Sequence, residues 1–157
     1  MHNWFGILLS LLIALFLTLI PMPDWTIWLR PVWILMVLIY WAMMTPNEVG
    51  IGFAWFVGLF VDLVQGTLLG EHALAYMVVI YFVSRMYIRL RMSPLLQQGL
   101  SVWMFVLIYQ SIIFCTQGFI GALPSNHLYW AASVTSMLVW PWLFVLLRDY
   151  GRWLKIA

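Results

Sequence analysis

Long apolar stretches, separated by short polar or Pro- and Gly-containing breaks, dominate the sequence. There are about six of them, each roughly 17–25 residues long, which is the length that an α-helix needs to cross a bilayer core. Strict alternation of apolar and polar residues, which would favour a membrane β-barrel, is absent. We therefore predict an all-α membrane protein with spans at about 4–20, 25–44, 48–68, 71–88, 95–120 and 128–147.

The breaks between these stretches are short, so consecutive helices are expected to run antiparallel. No linker, low-complexity tract or internal repeat divides the chain. The pattern predicts one integral membrane domain over residues 1–157, a compact bundle of about six transmembrane helices.

The composition supports lipid as the solvent for most of the surface. The chain of 157 residues is 66% hydrophobic and has only seven basic and five acidic residues. So few charges cannot cover a soluble domain of this size. The formal net charge of +2 is too small and too scattered for a nucleic-acid-binding surface.

Lysine and arginine positions indicate the orientation in the membrane. With six spans, the loop after the fourth span lies on the same side as both termini. Six of the seven basic residues then share that side, which predicts that both termini are cytoplasmic. They are Arg85, Arg89, Arg91, Arg148, Arg152 and Lys155. We interpret Arg85, Arg89 and Arg91 as a cluster that contacts lipid headgroups, with docking of a cytoplasmic partner as the alternative.

Asp62 is the clearest polar exception inside the predicted spans. A charge in the middle of a membrane helix costs about 2.5–3.5 kcal/mol on insertion scales, so it needs a reason. Gly58, Asp62 and Gly66 recur at four-residue spacing, and Gly70 continues the pattern. Small residues on one helix face let a second helix approach closely. The stripe predicts either an intramembrane packing face or a docking groove for the helix of a partner.

Arg30 is the partner that we predict for Asp62. If the second span begins near Trp25, both side chains lie about 8–9 Å below the outer interface. Pro31 follows Arg30 and would kink the helix or open it at a first turn. A proton or solute site at Asp62 is the alternative to a structural or docking role. The lack of a second carboxylate, or of a histidine at the same level, argues against that alternative.

The sequence has no catalytic constellation and no predicted metal site. HExxH, GxSxG and Walker motifs are absent, and Cys115 is the single cysteine. The histidines, His2, His72 and His127, are assigned to membrane edges on both sides, so one metal ion cannot collect them. We expect no enzyme activity and no cofactor, and an intramembrane enzyme is the weakest of the alternatives.

Several short pieces of sequence, taken in order, carry a resemblance to a known family. They are IPMPD at 20–24, RPVW at 30–33 with LIYW at 38–41, GLFVDLVQGTLLG at 58–70, and WPW at 140–142 before Arg148. In length, in the six-span pattern and in these pieces, the chain resembles the MreD family of rod shape-determining proteins. The resemblance covers nearly the whole chain.

This resemblance implies a non-enzymatic subunit of the bacterial elongation machinery in the inner membrane. Members of the family bind the bitopic protein MreC and belong to a complex with MreB, RodZ, RodA and its transpeptidase. The implied function is to maintain rod shape and to direct lateral peptidoglycan synthesis. The alternative is a solute-binding membrane subunit of a transporter.

The resemblance also implies a fold and a set of motif positions. The family is thought to be similar in fold to the substrate-binding subunits of energy-coupling-factor transporters. It supplies no catalytic residues. The positions expected to serve partner binding or intramembrane packing are Arg30, Pro31, Gly58, Asp62, Gly66 and Gly70.

Overall fold

The fold consists of α-helices. The computed structural model describes residues 2–20, 32–66, 69–121 and 130–153, and every regular element in these ranges is helical. The prediction of an all-α fold is confirmed. The elements are α1 (His2–Leu19), α2 (Trp33–Met44), α3 (Ile51–Gln65), α4 (Glu71–Met92), α5 (Leu95–Phe119) and α6 (Ala131–Trp153).

Three helices in the described ranges are long and apolar enough to cross a membrane. They are α4, α5 and α6, whose apolar windows have mean hydropathies of 1.4, 1.7 and 1.4. Trp4–Leu19 of α1, together with α2 and α3, is apolar but shorter. The 12 residues of α2 rise only about 18 Å at 1.5 Å per residue, less than the bilayer core. The chain is thus a membrane protein with at least these three long apolar helices.

The connection between α2 and α3 is longer than predicted. The backbone N–H and the hydroxyl of Thr45 both donate to the carbonyl of Trp41, which closes the last turn of α2. The N–H groups of Glu48 and Val49 then donate to the carbonyl of Thr45. Because this turn uses those residues, α3 begins at Ile51, whereas the sequence predicts a start at residue 48.

α4 and α6 extend beyond the predicted membrane spans. The sequence places the ends of those spans at residues 88 and 147, and the helices continue to Met92 and Trp153. The added turns carry Arg89, Arg91, Arg148 and Arg152. Basic side chains are favourable near a helix C-terminus, where backbone carbonyls lack partners, so a charged turn can continue an apolar helix. The predicted start of the second span, at residue 25, lies outside the described ranges.

α2 forms the buried centre of the bundle. All ten residues from Ile34 to Met43 are buried, and α2 contacts α1, α4, α5 and α6. A helix that is apolar on every side belongs in the interior. The Trp41 indole donates to Ser10 Oγ on α1 at 2.9 Å, and Tyr40 packs edge-on against Phe144 of α6.

A buried glutamine links three further helices. Gln98 of α5 donates from Nε2 to the carbonyl of Leu90 on α4 at 2.8 Å. Its Oε1 accepts a longer bond from Trp140 Nε1 of α6, at 3.4 Å. Both ends of the amide are therefore satisfied inside the bundle, as a buried polar group requires.

The outward surface is strongly apolar. Phe119, Leu96 and Trp142 are 93%, 81% and 77% exposed, and large hydrophobic side chains are exposed on every helix of the described ranges except α2. A monomeric soluble protein rarely exposes apolar surface on this scale. The surface fits contact with lipid or with other membrane helices.

Candidate functional site at the α3–α4 turn

Two glycines shape the turn that joins α3 to α4. Gly66 ends α3 with φ 71° and donates its N–H to the carbonyl of Asp62. Gly70 precedes α4 with φ 97°. Both values lie in the left-handed region, which glycine adopts without the steric cost that a Cβ brings. The chain therefore reverses direction within a few residues, and α4 packs back along α3.

Asp62 uses its carboxylate to cap the start of α4. It lies one turn before the end of α3 and is 1% exposed. Oδ2 accepts the N–H of Gly70 at 2.8 Å, and Oδ1 accepts the N–H of His72 at 3.1 Å. The first N–H groups of a helix lack internal partners and carry partial positive charge. Asp62 satisfies two such groups from the neighbouring helix.

His72 also approaches Asp62 through its side chain. Nδ1 lies 2.7 Å from Oδ1. With the carboxylate ionised, Nδ1 must carry the hydrogen, since an ionised carboxylate only accepts. Three donors from Gly70 and His72 thus converge on the two oxygens of Asp62, which is the arrangement that a buried charge needs.

The sequence interpretation of His72 is wrong on this point. It gave Asp62 no histidine at its own level, whereas His72 Nδ1 lies 2.7 Å from Asp62 Oδ1. Its assignment of His72 to a membrane edge stays a prediction. The tight reversal between Gly66 and Gly70 sets the first turn of α4 beside the last turn of α3, so the two side chains meet. The spacing in the sequence could have indicated this contact, since Asp62 lies four residues before Gly66 and His72 lies two residues after Gly70.

Two tyrosines extend the cluster to α5, and the sequence interpretation missed both. The His72 ring lies 5.9 Å from the ring of Tyr76 on α4 and 6.0 Å from the ring of Tyr109 on α5. The tyrosine rings are stacked at 5.7 Å, a favourable separation for aromatic pairs. We call Asp62, Gly70, His72, Tyr76 and Tyr109 the Asp62 cluster.

Glu71 is a second buried acid beside this cluster. It begins α4, it is 4% exposed, and its Oε1 has no hydrogen-bond partner among the described residues. A carboxylate is favourable at a helix N-terminus. The turn therefore concentrates two acids and a histidine, although the described residues contain no group of three His, Cys, Asp or Glu side chains arranged to hold a metal ion.

Gly58 lies against α4 of the same chain. A Cβ added at this position would lie 2.8 Å from the carbonyl carbon of His72 and would collide with the backbone of Ala73. The close approach of α3 and α4 therefore requires a glycine here. It also means that the groove predicted for a partner's helix is filled, at Gly58, by α4.

The other residues singled out from the sequence are dispersed. Arg30 and Pro31 lie outside the described ranges, so the predicted pairing of Arg30 with Asp62 stays a prediction. Arg91 donates from Nη2 to the carbonyls of Met43 and Met44 at 2.8 and 3.1 Å, and from Nε to Met43 at 3.2 Å. It thus caps the end of α2. Arg85 and Arg89 are exposed on α4.

The Asp62 cluster is chemically suited to joining helices. Its carboxylate accepts three hydrogen bonds, and its aromatic rings connect α4 to α5. Within the described ranges, the arrangement resembles a packed polar junction. Fold and site together define a class: an α-helical integral membrane protein whose buried polar cluster joins neighbouring helices.

Comparison with known proteins identifies the family. The family model for the rod shape-determining protein MreD matches residues 1–150. The chain is 37% identical to the rod shape-determining protein MreD of Haemophilus influenzae over 157 residues, covering 98% of this chain and 95% of that protein. No solved structure matches significantly. The chain belongs to the MreD family, as its sequence motifs predict, and the family supports a role in bacterial cell shape.

Proposed function

We propose that the chain is a non-enzymatic subunit of the rod complex that binds MreC and so helps to direct lateral peptidoglycan synthesis. The observation that carries the proposal is the family match over residues 1–150. The wider complex would include MreB, RodZ, RodA and its transpeptidase. The family name concerns cell shape, and the specific partners are part of this proposal.

The proposal includes an arrangement in the membrane. The chain forms one domain over residues 1–157 and crosses the inner membrane about six times, with both termini in the cytoplasm. The apolar character of all six described helices supports this. A similarity in fold to the substrate-binding subunits of energy-coupling-factor transporters stays a prediction. A role in partner binding or intramembrane packing also stays a prediction for the motif positions, which are Arg30, Pro31, Gly58, Asp62, Gly66 and Gly70.

An apolar cleft between α1 and α3 is the surface that we assign to the single membrane helix of MreC. The cleft has a volume of about 370 Å³. Phe56 and Phe60 of α3 are 67% and 53% exposed, and Leu8 and Leu12 of α1 about half exposed. The opposite side of α3 is covered by α4, and the cleft occupies part of the exposed side of that helix. The lining residues are Leu8, Leu11, Leu12, Leu15, Ile34, Phe53, Phe56, Val57, Phe60 and Val61.

The shape of the cleft suits the side chains of one helix. Helices in lipid associate through van der Waals packing, because lipid tails are as apolar as the helices themselves. A preformed concave surface offers more such contact than a flat one. Binding there would favour the conformation of MreC that fits the cleft, to an extent set by the difference in affinity.

Disulfide crosslinking tests this assignment in the membrane. The exposed Cys115 is first replaced by alanine, and single cysteines are then placed at Leu12 or Phe56 and along the membrane helix of MreC. We expect each cleft cysteine to crosslink to MreC positions that recur every three to four residues along its helix. Met104→Cys, which is 61% exposed on α5, is the matched control and should give none. Crosslinks from Met104 that equal those from the cleft would contradict the assignment.

The cellular function has a separate test. Depletion of the protein in its own bacterium should turn rods into spheres, and the wild-type gene should restore them. Loss of rod shape on depletion, together with no co-purification of MreC with the wild-type protein from undepleted cells, would support the role in shape but not the partner. Rod-shaped growth without the protein would remove the proposal as a whole.

A further inference from the structure

The three arginines near the end of α4 do not share one role. Arg91 is occupied, since its guanidinium donates to the carbonyls of Met43 and Met44. Arg85 and Arg89 are exposed, and the described residues give neither of them an ion pair. Two of the three charges are therefore available to a ligand.

Tyr81, Arg85 and Arg89 form a stripe along α4, which we call the arginine stripe. Their four-residue spacing puts them on one side of the helix. The guanidinium carbon of Arg85 lies 5.3 Å from the centre of the Tyr81 ring, a cation–π contact that holds the side chain along the helix. The two positive charges are thus one helical turn apart.

No acidic side chain lies near the stripe on its own helix or on the next. The single acid of α4 is Glu71, which is fourteen residues before Arg85, or about 21 Å along the helix. α5 has no acidic residue. Asp149 of α6 is already beside Arg148, at 4.0 Å. Among the described residues, no acidic side chain forms an ion pair with Arg85 or Arg89, so an anion from outside the chain can bind there.

The surroundings of the stripe are apolar. Phe82, Met86 and Ile88 are exposed by 41%, 37% and 59%. A ligand for the stripe must therefore bring an anionic group for the arginines and hydrocarbon for the adjoining surface. An anionic phospholipid has both, and the planar guanidinium fits phosphate oxygens in pairs. The acidic surface of a soluble protein would leave the apolar part of this patch uncovered.

We infer that the arginine stripe binds the headgroup phosphate of an anionic phospholipid, with the acyl chains against α4. This role is independent of MreC binding and of cell shape. It assigns lipid recognition to Arg85 and Arg89 and a structural role to Arg91.

Native mass spectrometry of the purified, delipidated protein tests the inference. Phosphatidylglycerol and phosphatidylcholine with identical acyl chains are titrated in competition. We expect the wild type to prefer phosphatidylglycerol by at least tenfold. The double variant Arg85→Gln/Arg89→Gln should lose about fivefold per arginine, the effect of one basic residue near an anionic bilayer surface, and should bind both lipids alike.

Matched variants give the controls. Arg152→Gln removes an exposed arginine from α6 and should keep the preference for phosphatidylglycerol. The charge-preserving double variant Arg85→Lys/Arg89→Lys should keep most of it. If the glutamine variant does not fold, the wild-type competition and the lysine variant still test the inference. Equal binding of the two lipids by the wild type would overturn the inference.

Two further outcomes would also overturn it. One is an unchanged lipid preference in a folded Arg85→Gln/Arg89→Gln protein, which would place the lipid elsewhere. The other is displacement of phosphatidylglycerol by millimolar inorganic phosphate, which would identify a site for free phosphate instead of a lipid. Retention of phosphatidylglycerol in the presence of phosphate is the expected result.

Discussion

At the scale of single residues, Asp62 illustrates how a carboxylate is accommodated among apolar helices. Its oxygens accept two backbone N–H groups and the imidazole of His72. The cost of burying the charge is offset by donors that themselves need partners. An acid that is rare in an apolar span is easy to find in a sequence. Its partners are not, because they come from the next helix, and periodicity within one helix says nothing about them.

Replacing Asp62 by asparagine should destabilise the protein. The amide offers one acceptor oxygen where the carboxylate offers two, so at least one buried donor loses its partner, at about 1–3 kcal/mol. The effect is measured as the midpoint of thermal unfolding in detergent, with size-exclusion chromatography as the readout of folded protein. Asp149→Asn is the control, since that side chain is 65% exposed and its loss should change little.

The pair itself can be isolated with a double-mutant cycle. Asp62→Asn and His72→Ala should each destabilise the protein, and the double variant should lose less than the sum, with a coupling of about 0.5–3 kcal/mol. Strict additivity of the two losses would show that the contact between Nδ1 and Oδ1 contributes nothing to stability.

At the scale of elements, the α3–α4 hairpin shows how glycines allow two helices to pack closely. Gly58 permits backbone contact with His72 and Ala73, while Gly66 and Gly70 reverse the chain. The four-residue spacing of glycines predicts that such a close approach exists. It cannot predict whether the approaching helix belongs to this chain or to another, since the same surface suits either.

Alanine at Gly58 should weaken the hairpin. The new methyl group would overlap the α4 backbone, which cannot move aside cheaply, so we expect a loss of about 1–3 kcal/mol in stability. Gly52→Ala, on the same helix, is the matched control, because a Cβ there meets no heavy atom within 4 Å. It should be neutral or slightly stabilising.

The same two variants distinguish internal packing from docking. Both are followed by thermal unfolding and by co-purification of MreC. A Gly58→Ala protein with normal thermal stability but little bound MreC would mean that the position serves a partner. Reduced stability, with MreC binding falling only as folded protein falls, is the expected outcome.

At the scale of the whole molecule, the apolar runs and their Pro and Gly breaks were sufficient to predict the helices of the described ranges. Deviations arise where charge or hydrogen bonding changes a boundary. The last turn of α4 is helical although it is basic, and Pro46 is followed by a turn that delays α3. Burial of α2 on every side follows from its uniformly apolar sequence. Contacts such as that of Gln98 with Trp140 depend on how the helices pack, which local patterns do not specify.

The proposed orientation can be measured by cysteine labelling. In a Cys115→Ala background, Leu69→Cys should react with a membrane-impermeant maleimide in intact spheroplasts, because the α3–α4 turn is predicted to lie outside. Ser93→Cys, between α4 and α5, should react only after permeabilisation, as the distribution of basic residues predicts. The reverse labelling pattern would invert the orientation and place both termini outside.

The donors of Asp62 also bear on biosynthesis. Before α4 has been synthesised, Asp62 on α3 lacks its hydrogen-bond donors, and a charge in a single membrane helix is costly. Once residues 70–72 are made, the N–H groups of Gly70 and His72 and the His72 imidazole can donate to the Asp62 carboxylate. We therefore expect α3 to stay in the translocon until α4 has been made, so that the two helices enter the bilayer together as one insertion unit.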